Sequence, residues 1–285
     1  MEQVSVDVQQ AARLRQPKQR NIKQEGGWRY AWSRIKRDKF YYALAALPLL
    51  WFLIFRYLPM YGVIIAFKDY DLYAGVRGIL SFDDWVGLKH FRNFLNSVFF
   101  WNLMRNTVVI SLLRIFWGFP APILLALLLN EVRLKWFKRS VQTISYLPHF
   151  FSGVVVAGMV QMVLTVQGGL LNQVIEAFGG EARAWLTDDS WFRTILVVTG
   201  IWQGVGWGSI MYLAAISNIN PELYEAAVVD GANLFQRMRY ITLPSMSYAI
   251  AINLIFRIGG LLNAGFGQIL LLYSEPVYKV ADIID

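Results

Sequence analysis

Few residues in this 285-residue chain are equipped for covalent chemistry. It has no cysteine, which removes disulfides, thiolate metal ligands and thiol nucleophiles. Its two histidines, His90 and His149, stand far apart and leave little for a zinc site; His149, beside Pro148, reads as an interfacial histidine. No Gly-x-x-x-x-Gly-Lys-Ser/Thr occurs, so the chain has no P-loop of its own for ATP. What remains is polar chemistry set inside apolar runs. Arg114 and Arg257 each fall in the middle of one. An arginine at the centre of a membrane helix costs at least about 2.5 kcal/mol on insertion scales, so each must face protein or water. Asn253, Arg257, Gly260, Ala264 and Gln268 recur at i, i+4, i+7, i+11 and i+15, one face of a continuous helix, suited to a lumen or a helix interface. A weaker stripe of Thr199, Gln203 and Gly206 has Trp202 beside it. Hydrogen-bonding groups beside flat aromatic faces are the chemistry that holds sugars. Two readings of Arg257 stay open, a lumen residue and a buried structural bridge; for Arg114 the structural reading leads.

The elements that must position these residues are membrane spans. Apolar residues make up 56% of the chain and charged residues only 16%, with mean hydropathy +0.41. The excess is concentrated in runs of the ~20 residues that a helix needs to cross a bilayer. Five spans are expected, at about 40–67, 107–129, 142–164, 194–217 and 245–273, with Pro120 and Pro122 kinking the second. Trp and Tyr crowd their ends, as interfacial belts do. The fold class is therefore an all-α integral membrane protein.

Residues 1–39 are polar, with ten Lys/Arg against four acids, out of a net charge of +8 for the whole chain. With no small-residue cleavage site after the first apolar run, this is a cytoplasmic tail rather than a signal peptide. A nucleic-acid-binding arm is the sharper alternative for such a charge run; the reading taken is a basic flank that holds the tail on the cytoplasmic side and touches anionic lipid, with no nucleic-acid partner expected. The 131–141 loop, with Arg133, Lys135, Lys138 and Arg139, reads cytoplasmic. The acid-rich 166–190 loop reads external, and 68–105 is nearly balanced. Alternation then places 218–244 in the cytoplasm and the last residues outside.

That 218–244 loop carries the densest signal. Asn220 suits an N-cap, Pro221 the first helical position, and Glu222 the positive end of the helix dipole. The helix runs through Tyr224, Glu225, Ala226, Ala227 and Val228, and Gly231 is placed to end it in a left-handed turn. A second short helix starts at Asn233, and Pro244 marks re-entry into the membrane. A stiff helical knob with a small-residue Ala226–Ala227 face is expected, open to close approach by another protein.

Glu225-Ala226-Ala227, three residues, Gly231, nine residues, then Ile241-x-Leu243-Pro244 resembles the EAA loop of binding-protein-dependent type I ABC importer permeases. The stretches from Tyr57 to Tyr70 and from Val280 to Asp285 are similar to the oligosaccharide and polysaccharide branch of that family, the LplB-type and maltose-transporter-like permeases. The resemblance implies a multi-pass permease of the bacterial cytoplasmic (inner) membrane, N-terminus inside. It also implies that Glu225 to Gly231 and Ile241, Leu243 and Pro244 form a coupling helix and its return, docked on a cytoplasmic ATPase. The partners it implies are a second homologous permease, two ATP-binding cassette subunits that carry ATP and Mg, and an extracytoplasmic solute-binding protein. No cofactor on this chain, no metal site and no enzymatic activity are implied. The family core has six spans, so a sixth is expected beyond residue 285, and the sequence reads as truncated.

The function expected is alternating-access import of oligosaccharide, with a substrate pathway drawn from Asn253, Arg257, Gln268, Gln203 and Trp202. Within the five expected spans there is no Asp or Glu. Arg257 therefore takes its counter-charge from the second permease or from the substrate, and a uronate-containing oligosaccharide fits a guanidinium. The alternative, an ion-coupled carrier acting alone, is weakened by the same lack of intramembrane carboxylates.

Overall fold

The computed structural model describes Trp32 and residues 35–81 and 84–285. Most of the basic tail, including Arg13, Arg20 and Arg29, lies outside the described residues. Those described are helical apart from turns and one isolated antiparallel bridge, Lys68–Trp85. They form two compact units, one ending at Asn93 and one running from Phe94 to Asp285.

The first unit holds α1, Lys39–Phe67, whose apolar window is wholly exposed. Pro48 and Pro59 each remove a backbone donor from this helix, and it loosens into a π turn at Leu53–Tyr57 before tightening into 3₁₀ at Tyr61–Phe67. A small polar lobe follows. The buried Lys68 ammonium ties it together, donating to Gly78 O at 2.9 Å, to Ser81 Oγ at 3.0 Å and to Ser81 O. Asp69 bridges Lys89 at 2.6 Å and His90 at 3.2 Å. The hydrogen bond from Lys89 holds the Asp69 carboxyl below its ordinary value.

The second unit is a helical bundle: α2 Phe100–Glu131, α3 Lys135–Phe150, α4 Gly153–Leu164, α5 Leu170–Ala177, α6 Asp189–Ser217, α7 Pro221–Val229, α8 Leu234–Ser245, α9 Ser247–Gly259 and α10 Phe266–Leu272. Among the described residues three helices (α1, α2 and α6) are long and apolar enough to cross a membrane, and up to five spans result if each bent pair is one. At 1.5 Å per residue the 32 residues of α2 reach about 48 Å, so it outruns the 107–129 span read from hydropathy.

Two expected spans are not straight helices. The one at 142–164 is broken: α3 and α4 meet at 106°. Pro148 tightens the end of α3 into 3₁₀, Phe151 is extended, and the Ser152 side chain caps the new helix at Val155 N. The one at 245–273 is entered through a bend at Met246 and broken once along its length. α8 and α9 meet at 64°. After Gly259-Gly260 the chain then leaves the helix, and Gly265, at φ +88°, starts α10. A left-handed residue cannot continue an α-helix, and glycine is the residue that enters that region at little cost.

Two apolar cores hold the bundle. Ile110, Ala157, Phe192, Leu196, Ala264 and Ile269 belong to one. Ile123, Ala126, Leu127, Tyr212, Ile216 and Met246 form the other. On α2 Arg114 lies between the two sets, on α6 Gly200 and Gly204 do, and on the last span Arg257 does. The polar and glycine positions are thus gathered at a waist between two packed ends.

Candidate functional site

The knob between α6 and α9 is built almost wholly from local hydrogen bonds. Asn220 Oδ1 accepts from Glu222 N at 3.1 Å and its amide donates to the Glu222 carboxylate at 3.1 Å. At the other end Gly231 takes φ +78°, Gly231 N donates to Val228 O at 3.1 Å and Ala232 N to Ala227 O at 2.8 Å. That pair of bonds is a Schellman motif, which satisfies carbonyls a helix end leaves open. Asn233 and Gln236 then cap α8 reciprocally, Gln236 N to Asn233 Oδ1 at 2.9 Å and Asn233 N to Gln236 Oε1 at 2.8 Å. Glu222, Glu225, Ala226 and Val229 share the exposed face of α7, and Val229 is 87% exposed. Tyr224 and Ala227 are half-buried on its inner side. The two alanines expected to form one docking face therefore point different ways, because successive residues of a helix lie 100° apart. Leu243 packs against the second core, Ile241 is half-buried, and Pro244 is exposed at the return.

At the waist, Arg114 and Arg257 line the same cavity of about 310 Å³, with Ser111, Phe256, Gly260 and Asn263. Both also line a smaller one of about 130 Å³ against Gly200, Gly204 and Pro122. Arg114 donates to Gln268 Oε1 at 2.7 Å, and Gln268 Nε2 is anchored on Leu196 O at 3.2 Å. Among the described residues Arg257 makes no hydrogen bond or ion pair, and Arg114 Nε and the Ser111 hydroxyl are buried without partners. Arg257 is exposed on the cavity and Arg114 is half-buried; an unmade hydrogen bond at the buried Arg114 Nε is costly, so that donor invites a ligand or water. Gly265 lies against the Arg114 guanidinium, where a β-carbon would collide with it. Asp285 Oδ2 accepts from Gly265 N at 3.1 Å and from Phe266 N at 3.2 Å. A carboxylate thus reaches the break beside Arg114, although none is encoded within the apolar runs.

The other residues expected along the substrate pathway are dispersed. Asn253 donates to Ala249 O and Met211 Sδ, both at 2.8 Å. Gln203 donates to Phe151 O at the α3–α4 break, 3.3 Å away. Trp202 faces an apolar groove of about 540 Å³ with Met159, Trp185 and Trp191. The expected single-face stripe from Asn253 to Gln268 is divided by the break at 260–265, which leaves Arg257 in the cavity, Gln268 beside it and Ala264 buried in the first core. Sequence reasoning missed Ser111, one turn before Arg114 and recoverable from the i, i+3 spacing. It also missed Trp207, one turn beyond Gly204 on α6. The Trp207 ring is 47% exposed and stacks on His149 at 4.6 Å and 5°, which puts His149 in an aromatic pair at the α3–α4 break.

Comparison with known proteins places this geometry among relatives. Residues 118–278 match the model of the family described as "Binding-protein-dependent transport system inner membrane component". The chain is 45% identical over 253 residues to Protein LplB of Bacillus subtilis (strain 168), covering 89% of this chain and 78% of that protein. It is 43% identical over 252 residues to the polygalacturonan/rhamnogalacturonan transport system permease protein YteP of the same organism, covering 88% of this chain and 77% of that protein. Among solved structures it resembles, with TM-score 0.80 and 43% identity, a chain of a bacterial alginate ABC transporter in complex with an alginate pentasaccharide-bound periplasmic protein; the match covers 88% of this chain and 82% of that one.

Proposed function

The chain belongs to the family of binding-protein-dependent transport system inner membrane components, and from that premise we propose that it is the membrane permease of an ATP-driven importer of acidic oligosaccharides. The single observation that carries the charge of the substrate is the shared cavity of Arg114 and Arg257, whose donors are not all used within the chain. A guanidinium holds a carboxylate through two parallel hydrogen bonds, and two guanidiniums at one waist suit a uronate in a sugar chain. The chemistry of the relatives supports the reading: the alginate transporter handles an acidic polysaccharide, and YteP is named for polygalacturonan.

The same reading gives the other parts their roles. The 1–39 tail, the 131–141 loop and the knob lie in the cytoplasm. Of two ATPase subunits, which carry ATP and Mg, one docks on the exposed face of α7 and the other on the second permease, and their closure moves α9 through α8. A second permease completes the lumen and an external solute-binding protein delivers the sugar. Alternating access then amounts to the waist being closed from one side or the other by the two packed ends. Glu225, Ala226 and Gly231 serve the ATPase contact, Ala227 and Leu243 support it from within, and Arg257 with Arg114 faces the substrate.

The test is ATP hydrolysis by the purified complex. Addition of binding protein loaded with an oligouronate should stimulate hydrolysis severalfold, and binding protein offered a neutral oligosaccharide should not. Purification without any ATPase subunit, from cells that express the whole transporter, would count against the importer reading.

A further inference from the structure

The knob has to transmit force, yet α7 is held by little. Among the described residues, the one side-chain hydrogen bond from α7 to anything beyond its own caps is from Tyr224, whose hydroxyl lies 2.9 Å from Thr242 Oγ1. Thr242 is fully buried, and its hydroxyl also reaches Arg237 O at 3.4 Å. It is the last residue of a π turn, Met238–Thr242, closed by Leu243 N to Met238 O. A π turn inserts one residue into the helical ladder and is frequently found at functional sites. Immediately beyond it, Met246 N bonds to Thr242 O at 3.1 Å, and Met246 is buried in the core with Tyr212 and Ile216 of α6 and Ile123 of α2. A continuous chain of contacts therefore runs from the inner side of α7, through one phenol and one buried hydroxyl, into the packed end of the bundle.

We propose that Tyr224 and Thr242 are positioning residues for transport: their hydrogen bond makes the coupling helix and the foot of α9 move as one body, so that ATPase closure is converted into movement of the waist. The proposal rests on the coupling role assigned above to α7. Without the tie, the π turn absorbs the displacement by shifting its register, and ATP is spent without a matching movement of sugar. Thr242 is buried and Tyr224 lies on the inner side of α7, away from the exposed docking face, so the bond acts through stiffness alone.

The experiment is the ratio of ATP hydrolysed to sugar imported, measured for the complete transporter in proteoliposomes. Tyr224→Phe and Thr242→Val each remove one hydroxyl, and each should raise the ratio about threefold or more, the size of one ordinary hydrogen bond. The double variant should be no worse than Thr242→Val alone, since that substitution already deletes the bond that Tyr224→Phe removes. Thr242→Ser, which keeps the hydroxyl, should return the ratio to near wild type. A ratio unchanged in Tyr224→Phe, a Thr242→Ser variant as uncoupled as Thr242→Val, or additive effects in the double variant would each overturn the tie. Gly231→Val, made in parallel, separates the two levels: if it too leaves the ratio and uptake unchanged, the coupling role of the whole loop falls, whereas if it alone abolishes uptake, only the tie does.

Discussion

The knob at 220–246 and the cavity at the waist satisfy their polar groups in opposite ways. In the knob, the cap bonds span two to five residues: Asn220 to Glu222, Ala232 to Ala227, Gln236 to Asn233. In the cavity the bonds join distant segments, Arg114 to Gln268 across 154 positions, and several donors stay open. The first arrangement gives a lever whose helix ends are shaped by local rules, with its return packed on the second core. The second gives a site with unspent hydrogen-bonding capacity, at a place where the helices are broken and glycines let them approach. A transporter needs both, and the comparison says where each kind of substitution should act.

The largest effect is expected at the lever. Gly231→Val places a β-branched residue at φ +78°, a strain of about 1–2 kcal/mol that removes the Schellman closure. It should abolish uptake while the protein still inserts at wild-type yield, as measured by radiolabelled sugar uptake and membrane immunoblots. Ala226→Trp and Ala227→Trp sharpen the same point. The first is on the exposed face and should block co-purification of the ATPase without loss of thermal stability. The second, half-buried, should lower the melting temperature as well. Equal behaviour of the two would erase the distinction between the faces.

A middling effect is expected where the cavity borrows from a break. Gly265→Ala sets a β-carbon against the Arg114 guanidinium at a positive φ, a cost of about 1–3 kcal/mol. Uptake of acidic sugar should fall severalfold with the ATPase still bound. The smallest effect belongs to Asn220→Ala, which removes a cap worth about 1 kcal/mol. That should lower the melting temperature by about 2–4 °C in a bundle of this size and leave uptake nearly intact.

This contrast also explains what was legible in the sequence. The lever could be read from Asn220, Pro221, Gly231 and Asn233 because caps and left-handed turns are local rules. All-helical membrane architecture could be read because length and apolarity decide it. The breaks were not legible: Pro148 and the pair Gly259-Gly260 lie inside runs whose hydropathy is continuous, and only packing decides whether such a run bends or kinks. The cavity was half legible. Arg257 announced itself by its cost in lipid, but the partnership of Arg114 with Gln268, the closeness of Asp285 and the removal of Asn253, Gln203 and Trp202 to other contacts depend on which helices cross. A helical face projected through residues 260–265 assumed a regularity that Gly265 ends.

The most direct measurement of the central claim is uptake of a defined oligouronate and of its carboxyl-reduced, neutral counterpart by wild-type and Arg257→Gln transporter in proteoliposomes. One lost charged hydrogen bond, about 1.5–3 kcal/mol, corresponds to tenfold or more. The account predicts that wild type strongly favours the acidic sugar and that Arg257→Gln lowers its uptake about tenfold, with little change for the neutral one and normal assembly with the second permease. An equal fall for both sugars, or a variant that no longer assembles, would contradict it and make Arg257 a structural residue.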